Sequence, residues 1–173
     1  MAESLKYRRV TPKEIAAAHK LEAEGYHPDE AASYDSLLYR QRHAGEFFLG
    51  AFDSDNRLVG FVTSTLADSP LVTEQSMREH NPRGKNLCIH SVCTAHDMQR
   101  KGVALTLLRQ LIAELRRKNA EPREMGLPPV YERVTLIARP YLVPLYEKAG
   151  FRSLGKSSVA HGPDPWIDCI LTL

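Results

Sequence analysis

Residues 87–112 read LCIHSVCTAHDMQRKGVALTLLRQLI: a strand, a short polar connection and an amphipathic helix, in that order. The run from 87 to 94 (LCIHSVCT) has the apolar and β-branched character of a strand. In the helix, Val103, Leu107, Leu108, Leu111, Ile112 and Leu115 recur at helical spacing and form one stripe, which core packing explains in full. Between the two, Gln99, Arg100, Lys101, Gly102, Val103 and Ala104 place successive backbone N–H groups at the positive end of a helix dipole, where an anion such as a phosphate is stabilised. Gly102 permits close backbone approach, and the small Ala104 keeps the next turn from blocking it. The loop has neither the GxxxxGKS/T spacing of a nucleotide-hydrolysing loop nor the GxGxxG of a dinucleotide fold, so neither of those enzymes fits.

Outward from this segment, Thr11, Pro12 and Glu14 make a capping box that starts a first helix running to about Glu24. A second helix is predicted from about Ala31 to His43, ending at Gly45, whose freedom at positive φ suits a helix stop. Residues 46–52 (EFFLGAF) and 57–66 (RLVGFVTSTL) are β-rich and flank the turn formers Asp53, Ser54, Asp55 and Asn56, which predicts an antiparallel hairpin. A short helix is expected over 73–80, and residues 119–129 (NAEPREMGLPP), with three prolines, read as a loop. A strand at 131–138, a short helix to Gly150 and strands near 151–158 and 166–173 close the chain. This order points to a mixed α/β sandwich.

A chain of 173 residues fits one domain. Its 23 Lys plus Arg against 21 Asp plus Glu provide no field to hold a nucleic acid, and Arg116, Arg117 and Lys118 read as a solvated face late in the helix. Cys88, Cys93 and Cys169 contain no CxxC pair and are expected as free thiols in a reducing cytosol. No apolar run approaches 18 residues and no signal core opens the sequence, so a soluble, cytoplasmic protein with no membrane partner is expected. The histidines have no zinc-site spacing, and no metal is assigned.

The hexapeptide Gln99–Ala104 has the Q/R-x-x-G-x-G/A form of the GNAT acetyltransferase superfamily, with the right kind of strand before it and helix after it. Three further stretches resemble its arylalkylamine (serotonin) N-acetyltransferase branch and the fungal relatives. His80, Pro82, Arg83 and Gly84 match an H-x-P-R-G element. Cys88, Ile89 and His90 align with an H-L-H triplet, and Leu142–Glu147 with Gly150 and Phe151 match an LVP-F/L-YE…GF segment. The match runs from about residue 58 onward, with a weak echo at Glu22–Tyr26. The resemblance implies a single domain over residues 1–173, with a mixed, mostly antiparallel sheet of about seven strands flanked by about four helices. It implies acetyl-CoA as co-substrate, held by the amides of Arg100, Lys101, Gly102, Val103, Ala104 and Leu105 at its pyrophosphate and by the backbone of Val92, Cys93 and Thr94 along its pantetheine arm and at its thioester carbonyl.

By the same resemblance, Tyr146 protonates the departing thiolate, and Val92 and Ile137 line the amine pocket; strand packing explains the latter two equally well. An alkylammonium, with a pKa around 10, must lose a proton before it can attack a thioester. His90 is the expected acceptor of that proton, because alternation puts it on the face of Cys88 and imidazole titrates near 6.5. The vertebrate members carry two strand histidines; here Cys88 replaces the first and only His90 remains. Their tail-borne phosphorylation switch is not expected here. Glu24 aligns with a glutamate proposed as base in insect relatives, although an exposed first-helix carboxylate explains it better. Phe47, Phe48, Phe61 and Trp166 are candidate aromatic walls. The expected activity is acetyl transfer to an arylalkylamine by a monomer. A polyamine acceptor is the alternative, with Asp29, Glu30 and Asp35 as the site for a second cation. Outside small-molecule catalysis the alternatives are a non-catalytic acyl-CoA-binding module and a protein-modifying acetyltransferase.

Overall fold

In the computed structural model, which describes residues 4–173, seven strands form one sheet. They are β1 (Lys6–Arg9), β2 (Leu49–Phe52), β3 (Leu58–Ala67), β4 (Asn86–Thr94), β5 (Arg133–Ala138), β6 (Arg152–Lys156) and β7 (Ile167–Thr172). Their spatial order is β1-β2-β3-β4-β5-β7-β6. Each neighbouring pair is antiparallel except β4 and β5, which run parallel and stay in register only over Asn86–Cys88 against Arg133–Thr135. Past Cys88 the two strands part, and the sheet opens at its centre.

Five helices cover the sheet: α1 (Ile15–Gly25), α2 (Tyr34–Ala44), α3 (Glu74–Arg78), α4 (Val103–Glu124) and α5 (Val143–Lys148). The stripe of α4, from Val103 to Leu115, packs on Val59, Val62, Leu87, Ile89, Val134 and Leu136. Burying each large apolar side chain of that stripe stabilises the fold by about 1.5–3 kcal/mol. The opposite face receives Ile15 and Ala18 of α1 and Leu37 of α2, together with Phe48, Phe52 and Phe61. Gly60 is what lets α4 start so close to the sheet, since a Cβ there would stand 2.9 Å from Val103 Cγ1.

The Thr11 capping box is present, but the first turn, Pro12–Glu14, is 3-10 before α1 begins. Arg8 grips the Glu14 carboxylate at 2.7 and 2.8 Å and holds its pKa down to about 2. This contact ties the unforeseen edge strand β1 to α1. Gly45 does not stop α2 at positive φ; its φ is −59°, and it opens a 3-10 turn over Gly45–Phe47 that delays the strand to Leu49. Nor is 119–129 all loop, because α4 runs through Pro122 to Glu124. A proline in the last turn gives up one hydrogen bond, and here the end is held by Asn119, which exchanges bonds with the Tyr131 backbone at 2.8 and 2.9 Å. The chain then turns at Gly126, with φ of +71°.

The H-x-P-R-G element proves to be scaffolding. His80 Nδ1 accepts from Leu66 N–H at 3.0 Å, and His80 N–H donates to the Tyr39 hydroxyl at 3.0 Å. A Cβ on Gly84 would lie 2.6 Å from the Ala67 nitrogen, so only glycine fits against β3 there. Among the described residues, no helix is long and apolar enough to cross a membrane.

Candidate active site

Where β4 and β5 part, a cavity of about 250 Å³ opens between the sheet, the α1–α2 connection and the loop before β7. A bulge in β4 builds its floor. Thr63 pairs with Ser91 and Ser64 with Ile89, leaving His90 as the extra residue. A bulge places two consecutive side chains on one side of a sheet, and here His90 reaches Thr65 while Ser91 reaches α1.

His90 Nε2 lies 2.6 Å from Thr65 Oγ1, and that hydroxyl donates its proton to the Ser76 carbonyl at 3.0 Å. The hydroxyl must therefore accept from Nε2–H, which leaves Nδ1 as the ring atom with a lone pair. Burial, with the Arg40 charge as a smaller contribution, holds the His90 pKa well below its ordinary value, so the ring is neutral at neutral pH. Arg40 on α2 is itself buried: desolvation lowers its pKa to about 10, Nη2 donates to the Met77 carbonyl at 3.2 Å, and Nη1 has no partner among the described residues.

Glu22 was not foreseen as a site residue. Its carboxylate is 1% exposed and lines the cavity, accepting from Ser91 Oγ at 2.8 Å, Ala32 N–H at 3.0 Å and the Cys93 thiol at 3.1 Å. A readable signal existed: Glu22 continues the buried stripe of Ile15 and Ala18 on α1, where an acid is out of place. Glu24, by contrast, is exposed and lies outside the cavity.

Tyr146, Val92, Ile137 and His90 are brought together as lining residues. Tyr146 reaches the cavity from α5, packed edge-on against Phe151 at 5.9 Å between ring centres. Burial pushes its phenol pKa up, so it carries its proton at neutral pH. Cys88 is fully buried and is not a lining residue; it accepts from Thr135 Oγ1 at 3.4 Å, and burial raises its pKa, so a proton path through it has neither solvent nor a thiolate. Of the four aromatic candidates only Trp166 lines the cavity, with Val72, Met77 and Ile137 as apolar walls; Phe47, Phe48 and Phe61 are spent in the cores.

At the mouth, Arg139 forms an ion pair with Glu30, stacks 3.8 Å over the Trp166 ring and donates to the carbonyls of Asp164 and Pro165. Of the three acids considered for a second cation, Glu30 is thus neutralised, Asp35 lies away on α2, and Asp29 remains exposed at the rim.

Ahead of α4, Arg100 and Gly102 both adopt left-handed backbone, with φ of +62° and +80°. A non-glycine residue held there costs about 1 kcal/mol or more, a strain that clusters at functional sites. The first backward hydrogen bond of the helix is Thr106 N–H to the Gly102 carbonyl at 3.0 Å, so the amides of Val103, Ala104 and Leu105 have no partner within it. Arg100, Lys101 and Gly102 are exposed, and the space beside Gly102 is open. The loop therefore fits a pyrophosphate. Cys93 has its side chain turned to Glu22, and Cys93 and Thr94 continue the parted strand toward the loop.

Residues 15–151 match the model of the acetyltransferase (GNAT) family, and the chain belongs to that family. It is 27% identical over 160 residues to serotonin N-acetyltransferase of Mesocricetus auratus, and 24% identical over 165 residues to that of Macaca mulatta; each match covers 90% of this chain and 72% of the relative. Among solved structures, the GphF GNAT-like decarboxylase in complex with isobutyryl-CoA superposes with a TM-score of 0.79 at 17% identity, covering 96% of this chain and 98% of that one. The phosphinothricin acetyltransferase of Sinorhizobium meliloti, in complex with AcCoA, gives 0.68 at 14% identity, covering 98% and 88%. These structures share the fold.

Proposed function

We propose that the protein transfers acetyl from acetyl-CoA directly to the primary amine of an arylalkylamine of the serotonin, tryptamine or phenylethylamine type. The observation that carries this reading is the cavity itself. One cavity is lined by a buried carboxylate, Glu22, a neutral imidazole, His90, a protonated phenol, Tyr146, and the apolar side chains of Trp166, Met77, Val72 and Ile137. Glu22 holds the ammonium, the apolar wall takes the aryl group, and Val92 and Ile137 flank the reacting carbon. His90 Nδ1 takes the proton of the amine, directly or through water, and Tyr146 returns one to the leaving thiolate. The amides of residues 100–105 hold the pyrophosphate, and the backbone of Val92, Cys93 and Thr94 holds the pantetheine arm.

The serotonin N-acetyltransferase relatives support the aryl acceptor. The polyamine reading is weakened, because Glu30 is ion-paired to Arg139 and Asp35 does not line the cavity. Thiol release from acetyl-CoA, measured with tryptamine, phenylethylamine, spermine and spermidine side by side, tests the proposal. Tryptamine or phenylethylamine is expected to be fastest; equal or faster release with spermine refutes the aryl choice. Binding of acetyl-CoA without release on any amine makes the protein a binding module.

A further inference from the structure

The parting of β4 from β5 leaves backbone groups of β4 without a strand partner, and at Val92 a side chain takes them. Val92 N–H donates to Tyr26 Oη at 3.2 Å, and the Tyr26 hydroxyl donates to the Val92 carbonyl at 3.4 Å. Tyr26 is the C-cap of α1, its own N–H fixed to the Glu22 carbonyl at 3.1 Å, and its ring lines the cavity beside His90 and Tyr146. Desolvation holds the phenol pKa well above its usual value, so it is a donor at neutral pH. An oxygen accepting from Val92 N–H at this point stands where the carbonyl oxygen of a thioester would stand if Val92 bears the acyl end of the pantetheine arm.

We propose that Tyr26 is a catalytic residue of acyl transfer. Its hydroxyl marks the carbonyl-oxygen position in the free protein, then shifts by one hydrogen-bond length to donate into that oxygen beside Val92 N–H. This rests on the acetyl-transfer reading above. As the amine nitrogen bonds to the carbonyl carbon, the C=O π electrons move onto oxygen, where Val92 N–H and Tyr26 O–H stabilise the charge. When the carbonyl re-forms, the C–S bond breaks and the sulfur leaves with its electron pair. The ammonium's first proton leaves through His90 to solvent before attack, the second, on the bonded nitrogen, goes to the imidazole so freed, and the thiolate takes one from Tyr146, whose phenolate regains a proton from solvent. Tyr26 keeps its proton throughout. Removing one donor from such a pair costs about 10²–10³ in rate.

Tyr26→Phe keeps the ring and removes the donor. The single-turnover rate with tryptamine is expected to fall about 100-fold. The preference for acetyl-CoA over S-ethyl-CoA, a thioether with CH2 in place of the carbonyl, is expected to fall about tenfold by calorimetry, about the worth of one hydrogen bond. Replacing Tyr26 with a difluorotyrosine, whose phenol is more acidic, should retain the rate at low pH and add an alkaline limb as the donor ionises, a readout that needs no phenylalanine variant. An unchanged rate and preference in Tyr26→Phe, or tighter acetyl-CoA binding with unchanged turnover, shows the hydroxyl to be a mere placeholder and overturns the proposal. A wild-type protein inert to every amine, whose acetyl-CoA preference is still lost in the Tyr26→Phe variant, overturns the amine reading and leaves the carbonyl site standing.

Discussion

Replacing Glu22 with glutamine separates charge from shape at the proposed ammonium site. The carboxylate accepts three hydrogen bonds, from Ala32 N–H, Ser91 Oγ and the Cys93 thiol. A glutamine oxygen in place of Oε1 keeps the first two, and the amide group displaces only a thiol, which is a weak donor. Neutralising Glu22 also removes its attraction for the buried Arg40 cation, so a thermal melt must check that the variant stays folded. The amine loses a charge-assisted bond worth about 1.5–3 kcal/mol, so KM for phenylethylamine should rise roughly ten- to a hundredfold. Steady-state kinetics with phenylethylamine, acetyl-CoA titration by calorimetry and a thermal melt together decide the matter. KM within twofold of the wild type, in a protein that melts normally, refutes Glu22 as the ammonium anchor and leaves it as a fastener of α1 to β4.

Gly102→Asp forces a side chain and a negative charge into a left-handed position facing the proposed phosphates, and calorimetry should show acetyl-CoA affinity collapsing in a protein that remains folded. Tyr146→Phe should lower turnover by roughly 10²–10⁴ with little change in amine KM; wild-type turnover would reduce Tyr146 to a packing residue. His90→Gln should depress single-turnover rates across the neutral range, where the imidazole is already neutral, while Cys88→Ala, outside the cavity, should change them little. His90 also predicts a pH effect on stability. Its folded pKa lies below the unfolded value of about 6.5, so below that pH the unfolded chain binds a proton that the folded one does not. Stability therefore falls as pH drops through this window, by about 1.4 kcal/mol per pH unit for one proton, and His90→Gln should remove that part of the slope in denaturant titrations.

The strand, loop and helix of residues 87–112 were legible because each depends on local rules: alternation, the freedom of Gly102 and a helical stripe. So were the hairpin around Asp53–Asn56 and the capping box at Thr11. Pro122 misled because a proline breaks a helix interior but is tolerated in a last turn anchored elsewhere, and the anchor, Asn119 on Tyr131, is a long-range contact. Strand β1 was hidden because four residues, Lys6–Arg9, alternate no apolar face. At the site, His90, Tyr146, Val92 and Ile137 were named through resemblance, and the fold brings them to one cavity. Arg40, Thr65 and Tyr26 were not, because their importance arises from the bulge at His90 and the parting of β4 from β5, neither of which has a spacing to read; Glu22 was passed over although an acid on the buried stripe of α1 is a legible signal.

Arg139 joins both rims of the cavity, holding Glu30 from the α1–α2 connection and the loop of Asp164, Pro165 and Trp166 with a single guanidinium. The two rims are therefore mechanically one latch, and an amine too bulky for the gap enters only after a unimolecular opening that releases several bonds together. Capture of such an amine would be set by the frequency of that opening rather than by diffusion, so kcat/KM should respond little to solvent viscosity and rise when Arg139 is shortened to lysine, which lacks the planar fork that serves both rims.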